Sequence, residues 1–89
     1  MSTIEHHPEL GRFQTTTDGK TSLIAYRIAG DLMSLTHTEV APELQGQGIG
    51  GQLVEAALAH AKAHGLTVDP ACSYARAYMQ RHGLALSQR

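Results

Sequence analysis

Apolar and polar residues alternate with a period of two through the first half of the chain. Phe13, Thr15 and Thr17 share one face of a strand that begins near Gly11, and Asp18-Gly19 closes it with a strong hairpin signal. Thr21 to Ile28 returns as a second strand carrying Leu23, Ala25 and the β-favouring Tyr26 and Ile28. Ala29-Gly30-Asp31 turns the chain again, and Leu32 to Val40 is the third strand of an antiparallel meander.

The period then changes. Ile49, Leu53, Val54, Ala57, Leu58 and Ala61 recur with helical spacing, which predicts a helix from about Gln47 to His64-Gly65. Glycine is the expected residue just past a helix end, and histidine there favours the negative end of the dipole. Leu66-Thr67-Val68 reads as a short buried fourth strand stopped by Asp69-Pro70. Joined to the third strand through a helix, it would run parallel to it. Ser73 is the expected cap of a last helix, Tyr74 to His82, ended by Gly83. Residues 1–9, with His6-His7-Pro8, read as a loosely held entry. The order β-β-β-α-β-α predicts an α+β fold, a mostly antiparallel mixed sheet with helices packed on it, in a single domain over residues 1–89.

Composition narrows the function classes. A chain of 89 residues buries only about 60 to 65% of its unfolded surface, so a separate substrate domain does not fit. Seven Lys and Arg without a basic stripe, a net charge of −1, three Tyr, one Phe and no Trp argue against nucleic-acid binding. No apolar run approaches a membrane span, and Met1-Ser2-Thr3-Ile4-Glu5 is not a secretory signal, so no membrane association and a cytoplasmic location are expected. The single cysteine, Cys72, excludes an internal disulfide framework and fits a reducing compartment.

The stretch Val40-Ala41-Pro42-Glu43-Leu44-Gln45-Gly46-Gln47-Gly48-Ile49-Gly50-Gly51 carries the main chemical signal. Its glycines let a ligand approach the backbone N–H groups, and the helix behind it presents its first, internally unpaired amides there. Together with the positive end of the dipole they suit an anion such as phosphate. Gly46-x-Gly48-x-x-Gly51 with Asp69 also spells a dinucleotide fingerprint, but there the first glycine directly follows the strand. Five residues intervene here, and the upstream strands are joined by hairpins. A P-loop is excluded because no Lys-Ser/Thr pair follows the glycines. A plainer reading makes the glycines only a strand-to-helix turn.

A strand ending in Val40-x-Pro42, then Gln45-x-x-Gly48-x-Gly50 and an amphipathic helix, resembles the acyl-CoA pyrophosphate loop of the GNAT superfamily of N-acetyltransferases. With His37-Thr38-Glu39-Val40 before it and Cys72-Ser73-Tyr74 after it, the string is similar to the small single-domain GNAT-like proteins over roughly residues 10 to 84. The resemblance implies acetyl-CoA as cosubstrate, with its pyrophosphate on Gln45, Gly46, Gln47, Gly48, Ile49 and Gly50. It also implies that the pantetheine arm pairs with the end of the third strand at Thr38 to Val40, where a main-chain N–H can polarise the thioester carbonyl. Gln45 and Gln47 are neutral where many relatives carry arginine, so affinity should rest on amides and dipole, roughly 0.3 to 2 kcal/mol per anion. Glu43 would oppose it.

The reacting acyl group would then lie near His37, Glu39, Cys72 and Tyr74. A lysine-type amine, with a pKa of ~10.4, needs a base at neutral pH. His37 and Glu39 share a face of the strand and are candidates; each also reads as an ordinary solvated or hydrogen-bonded residue. Larger relatives commonly protonate the departing thiolate with a tyrosine, but Met79 stands at the matching place, leaving Tyr74 or Cys72 to substitute. Cys72 precedes a helix, where the dipole lowers a thiol pKa, and it reads either as a nucleophile or as a small buried hydrophobe. His60 and His64 have metal-capable spacing, but no third ligand accompanies them, and no metal is expected.

Three functions fit the sequence. The first is an N-acetyltransferase acting on an unidentified amine, with the acceptor groove open or completed by a protein partner. The second is an acyl-CoA-binding or sensing module without efficient turnover. The third is an interaction module that has kept the fold and lost the ligand.

Overall fold

The structure is a computed structural model that describes residues 3–83. Five strands lie in sequence order in one sheet: β1 (Glu5–His7), β2 (Arg12–Thr17), β3 (Lys20–Ala29), β4 (Leu32–Glu39) and β5 (Thr67–Asp69). The first four pair antiparallel, and β5 joins β4 in parallel through Leu32↔Thr67, Met33↔Val68 and Ser34↔Asp69. Helix α1 (Ile49–Ala63) makes the crossover, and α2 (Ser73–Arg81) follows β5. This is the expected α+β arrangement, and the hairpin-linked strands before the glycine loop separate it from a dinucleotide-binding unit.

Local chemistry accounts for most of the turns. Asp18 and Gly19 both take positive φ, at 52° and 75°, the requirement of a two-residue hairpin turn whose twist matches its strands. At the end of α1, the Leu66 N–H donates to the Ala61 carbonyl at 2.8 Å and the Gly65 N–H to that of Lys62 at 3.4 Å, closing the helix in a Schellman arrangement.

Residues 5–7 differ from the loose entry expected of them. Glu5, His6 and His7 pair with Gln14, Phe13 and Arg12. The His6 ring stacks on Phe13 with centroids 4.2 Å apart, its Nε2 lies 2.6 Å from the Tyr26 hydroxyl, and His60 of α1 meets it edge-on at 4.7 Å. The anchor is thus a cluster of rings from three distant segments. His64 stacks on His60 at 4.1 Å and turns Nδ1 toward the His60 carbonyl at 2.9 Å, so both histidines serve the helix end and the core margin.

Burial disfavours the His60 cation, and His64 and His6 add repulsion, so its pKa falls below the usual imidazole value. The unfolded chain then takes up this proton more readily than the folded one. The contribution is full above about pH 6.5 and is lost as pH falls below it. His7, raised by Glu5 and Glu9, works in the opposite direction. We therefore expect the difference in melting temperature between the native chain and His60→Phe to shift toward the variant as pH is lowered from 7.5 to 5.

The core joins Phe13, Ile24, Met33 and Leu35 of the sheet to Leu53, Val54, Ala57 and Ala61 of α1 and Ala75 and Met79 of α2. Met79 is fully buried. It fills the core and does not line the cleft described below.

One irregularity decides which residues of β4 face the core. His37 pairs with Ala25 and Leu35 with Tyr26, so Thr36 is an extra residue, a β-bulge. Side chains alternate strictly only while the register holds. Before the bulge Met33 and Leu35 point inward; after it Thr38, opposite the buried Ile24, points inward instead.

Candidate functional site

The site is assembled where β4 ends, α1 begins and α2 begins. From Val40 the chain passes through a 3₁₀ turn, Pro42–Leu44, held at three points. The Ala41 N–H donates to the Ser22 hydroxyl at 3.2 Å, the Leu44 side chain is buried, and Gln45 Nε2 donates to the Val40 carbonyl at 3.3 Å. Gln45 is therefore a staple within the loop. Glu43 lies 3.5 Å from Lys20 Nζ at the tip of the β2–β3 hairpin, which offsets its charge near an anion site.

Gly48 caps α1 with φ 81° and ψ 9°, a left-handed conformation, and no side chain caps the helix. The first α1 hydrogen bond runs from the Gln52 N–H to the Gly48 carbonyl. Among the described residues, the amides of Gly46, Gly48, Ile49, Gly50 and Gly51 have no acceptor. All of these but Gly51 border a half-open cleft of about 310 Å³, lined by Thr38, Val40, Leu44, Gly46, Gly48, Gly50 and Tyr74 together with Gln45 and Ile49. A wider hollow adjoins it, sharing Gly48 and Tyr74 and edged by Gln52, Glu55, Tyr78 and Arg81.

The later glycines of the loop have a different task from the earlier ones. A Cβ on Gly50 would overlap the Tyr74 hydroxyl and stand 2.6 Å from its Cζ, and one on Gly51 would stand 2.7 Å from a Tyr78 ring carbon. Gly50 and Gly51 are therefore seats for two tyrosines of α2. Tyr74 lies across the first turn of α1, and its hydroxyl makes no hydrogen bond among the described residues. The Tyr78 hydroxyl donates to Glu55 at 2.8 Å.

Cys72 is the cap residue of α2, with extended φ −79° and ψ 131°; Ser73, expected to cap, is the first helical residue. The Cys72 N–H donates to the Leu35 carbonyl at 2.7 Å, fixing the start of α2 against β4 beyond the reach of β5. Its Sγ lies 3.4 Å from the Thr38 hydroxyl. Burial raises the thiol pKa, but hydrogen bonds from the Thr38 hydroxyl and from the amides of Ala75, Tyr74 and Thr38 outweigh it and bring it below the ordinary value. The pH profile of alkylation by iodoacetamide should accordingly have its midpoint below that of a free cysteine under the same conditions. Thr38→Val should move that midpoint upward.

The structure gathers Thr38, Val40, Gln45, Gly46, Gly48, Ile49, Gly50 and Tyr74 around one cleft, with Cys72 joined to it through Thr38. Gln47 is exposed and does not line it. His37 and Glu39 are elsewhere. They pair with Ala25 and Leu23 rather than with the inward residues of β3, lie 3.6 Å from each other, and have side chains 63% and 66% exposed. Leu44 is a lining residue missed in the sequence; its signal was a lone large apolar side chain in a loop of Pro, Gln and Gly. Among the described residues no cluster of His, Cys, Asp or Glu is arranged to hold a metal, and no helix is long and apolar enough to cross a membrane.

An antiparallel meander delivering a glycine-rich helix start, followed by a parallel strand and a second helix, defines an acetyltransferase-type fold. The model of the GCN5-related N-acetyltransferase family matches residues 12–86, and the chain belongs to that family. It is similar to the NMR solution structure of a GCN5-like protein from Staphylococcus aureus, with a TM-score of 0.73 at 28% identity, over 90% of this chain and 79% of the other.

Proposed function

We propose that this protein binds acetyl-CoA in the cleft between β4, the glycine loop and α2, and passes the acetyl group to an amine. The observation that carries this reading is the set of acceptor-free amides at Gly46, Gly48, Ile49 and Gly50 lining a cleft that also reaches Thr38. Oriented backbone donors at a helix start suit a pyrophosphate without any cationic side chain. The edge of β4 beyond its pairing with β5 offers main-chain groups to an extended arm, and Val40 and Leu44 give it apolar walls.

A thioester reaching Thr38 would meet the side chain best prepared to act on it. As a thiolate, Cys72 attacks the thioester carbonyl carbon; the C–S bond to CoA breaks and the acetyl group is held on Sγ as a new thioester. The Thr38 hydroxyl and the amides of Tyr74 and Ala75 favour the charged form of Cys72 beforehand. The Tyr74 hydroxyl lies against Gly50, at the phosphate end, so the departing CoA thiolate takes its proton from water. His37 and Glu39 are assigned no step.

The test is a mixture of protein and acetyl-CoA without acceptor. One equivalent of CoA should be released, with a mass gain of one acetyl group that digestion locates on Cys72. Steady release should then require an added amine. Stoichiometric binding with no release under any acceptor would instead support a binding or sensing module, a reading favoured by the burial of Met79.

A further inference from the structure

Every aspartate, glutamate and histidine of the chain lies within the described residues. None of them lines the acetyl-CoA cleft. Glu43 is turned to Lys20 at 3.5 Å, and Glu55 accepts the Tyr78 hydroxyl at 2.8 Å. His82 stacks on Tyr78 at 4.1 Å in the adjoining hollow. The bulge at Thr36 sends His37 and Glu39 to the other side of β4, where they face each other and solvent. The groups around an acetyl carbon held on Cys72 are thus the Thr38 hydroxyl and backbone amides, which favour anions and donate protons.

An acceptor that arrives as an ammonium ion finds no Asp, Glu or His lining the cleft among the described residues to take its proton. We infer that the acceptor is a weakly basic primary amine, present in appreciable part as the neutral form near pH 7, such as the α-amino group of an amino-acid amide or peptide, and not a lysine side chain. The inference rests on the acetyltransferase reading above. In the transfer, the amine lone pair attacks the acetyl carbon, a C–N bond forms and the C–S bond breaks. The proton lost from nitrogen ends on the released thiolate, so no further reactant is needed.

At pH 7 an α-amino group with a pKa of ~7.7 to 8.0 is about 10% or more neutral, whereas a lysine amine at ~10.4 is neutral in only about one part in 2,500. The higher intrinsic nucleophilicity of the lysine amine offsets part of that difference.

The experiment compares L-alaninamide with Nα-acetyl-L-lysine amide as acceptors, using the intact protein, saturating acetyl-CoA and pH 6.5 to 9. Alaninamide should be used at least about tenfold faster at pH 7, with its rate near half-maximal at about pH 8 and levelling off above it. The lysine compound should speed up about tenfold per pH unit across the range, because only its free base reacts. His37→Ala and Glu39→Gln should leave both profiles within about twofold. Equal use of the lysine compound at pH 7, a flat lysine profile above pH 7, or loss of activity in either variant would overturn the inference. Acetyl-CoA binding with neither amine consumed would also overturn it. Absence of acetyl-CoA binding, followed separately by amide shifts, would remove the acetyltransferase reading itself.

Discussion

Replacing Cys72 with alanine should lower acetyl transfer by on the order of a hundredfold or more while leaving acetyl-CoA affinity within about twofold. That scale is the usual consequence of removing a group that acts on the reacting atoms. The ligand's phosphates are assigned to the loop from Gly46 to Gly51, and Cys72 lies against Thr38, which lines the same cleft. Cys72 is half-buried and lies outside the fully buried core, so the change to alanine removes little core volume, and the Cys72 N–H that docks α2 on Leu35 is retained. Stability should therefore change modestly. Parallel measurements of CoA release and of affinity check the separation; unchanged turnover would remove Cys72 from the chemistry.

Gly48→Glu should have the second largest effect, weakening acetyl-CoA binding at least tenfold. Two causes add. A non-glycine residue at φ 81° costs roughly 1 to 2 kcal/mol of stability. The new carboxylate also occupies the positive end of α1, the place assigned to the ligand's own anion, worth roughly 0.3 to 2 kcal/mol for each charge held there. Gly65→Glu separates the two. Gly65 has φ 67° with open space around it, at the other end of the same helix. It should lose comparable stability and keep its affinity, as thermal melts and a binding titration would show.

The sequence made the architecture readable because each element carried its own period or punctuation. Asp18-Gly19, the heptad-like spacing from Ile49 to Ala61 and Gly65 each have a local cause, and each is where the structure has it. What stayed hidden depends on partners far away in the chain. Strand β1 is three polar residues long, and nothing in Glu5-His6-His7 announces that Phe13, Tyr26 and His60 are waiting for a ring. The bulge at Thr36 has no glycine or proline to mark it, yet it places Thr38 in the cleft and His37 and Glu39 outside it. A steady alternation would have carried both candidate bases along the inward face with Leu35.

The glycine loop was visible as a unit, but its division of labour was not. Gly46 and Gly48 are required by their left-handed backbone, whereas Gly50 and Gly51 are required by Tyr74 and Tyr78 lying on them. A Cβ on either would meet a ring contributed by a helix more than twenty residues later, a contact that no local pattern encodes. Leu44 and Gln45 likewise became legible only once the turn was seen to fold back on Val40.

The most direct test of the account is an amide-resolved NMR titration with acetyl-CoA and, separately, with CoA. Both ligands should shift the amides from Gly46 to Gly51, with shifts at Thr38, Val40 and Cys72 to Ala75 that differ between the two because only one carries the thioester. No shift in the glycine loop at millimolar ligand would contradict the central claim and leave the glycines as a turn and a seat for two tyrosines.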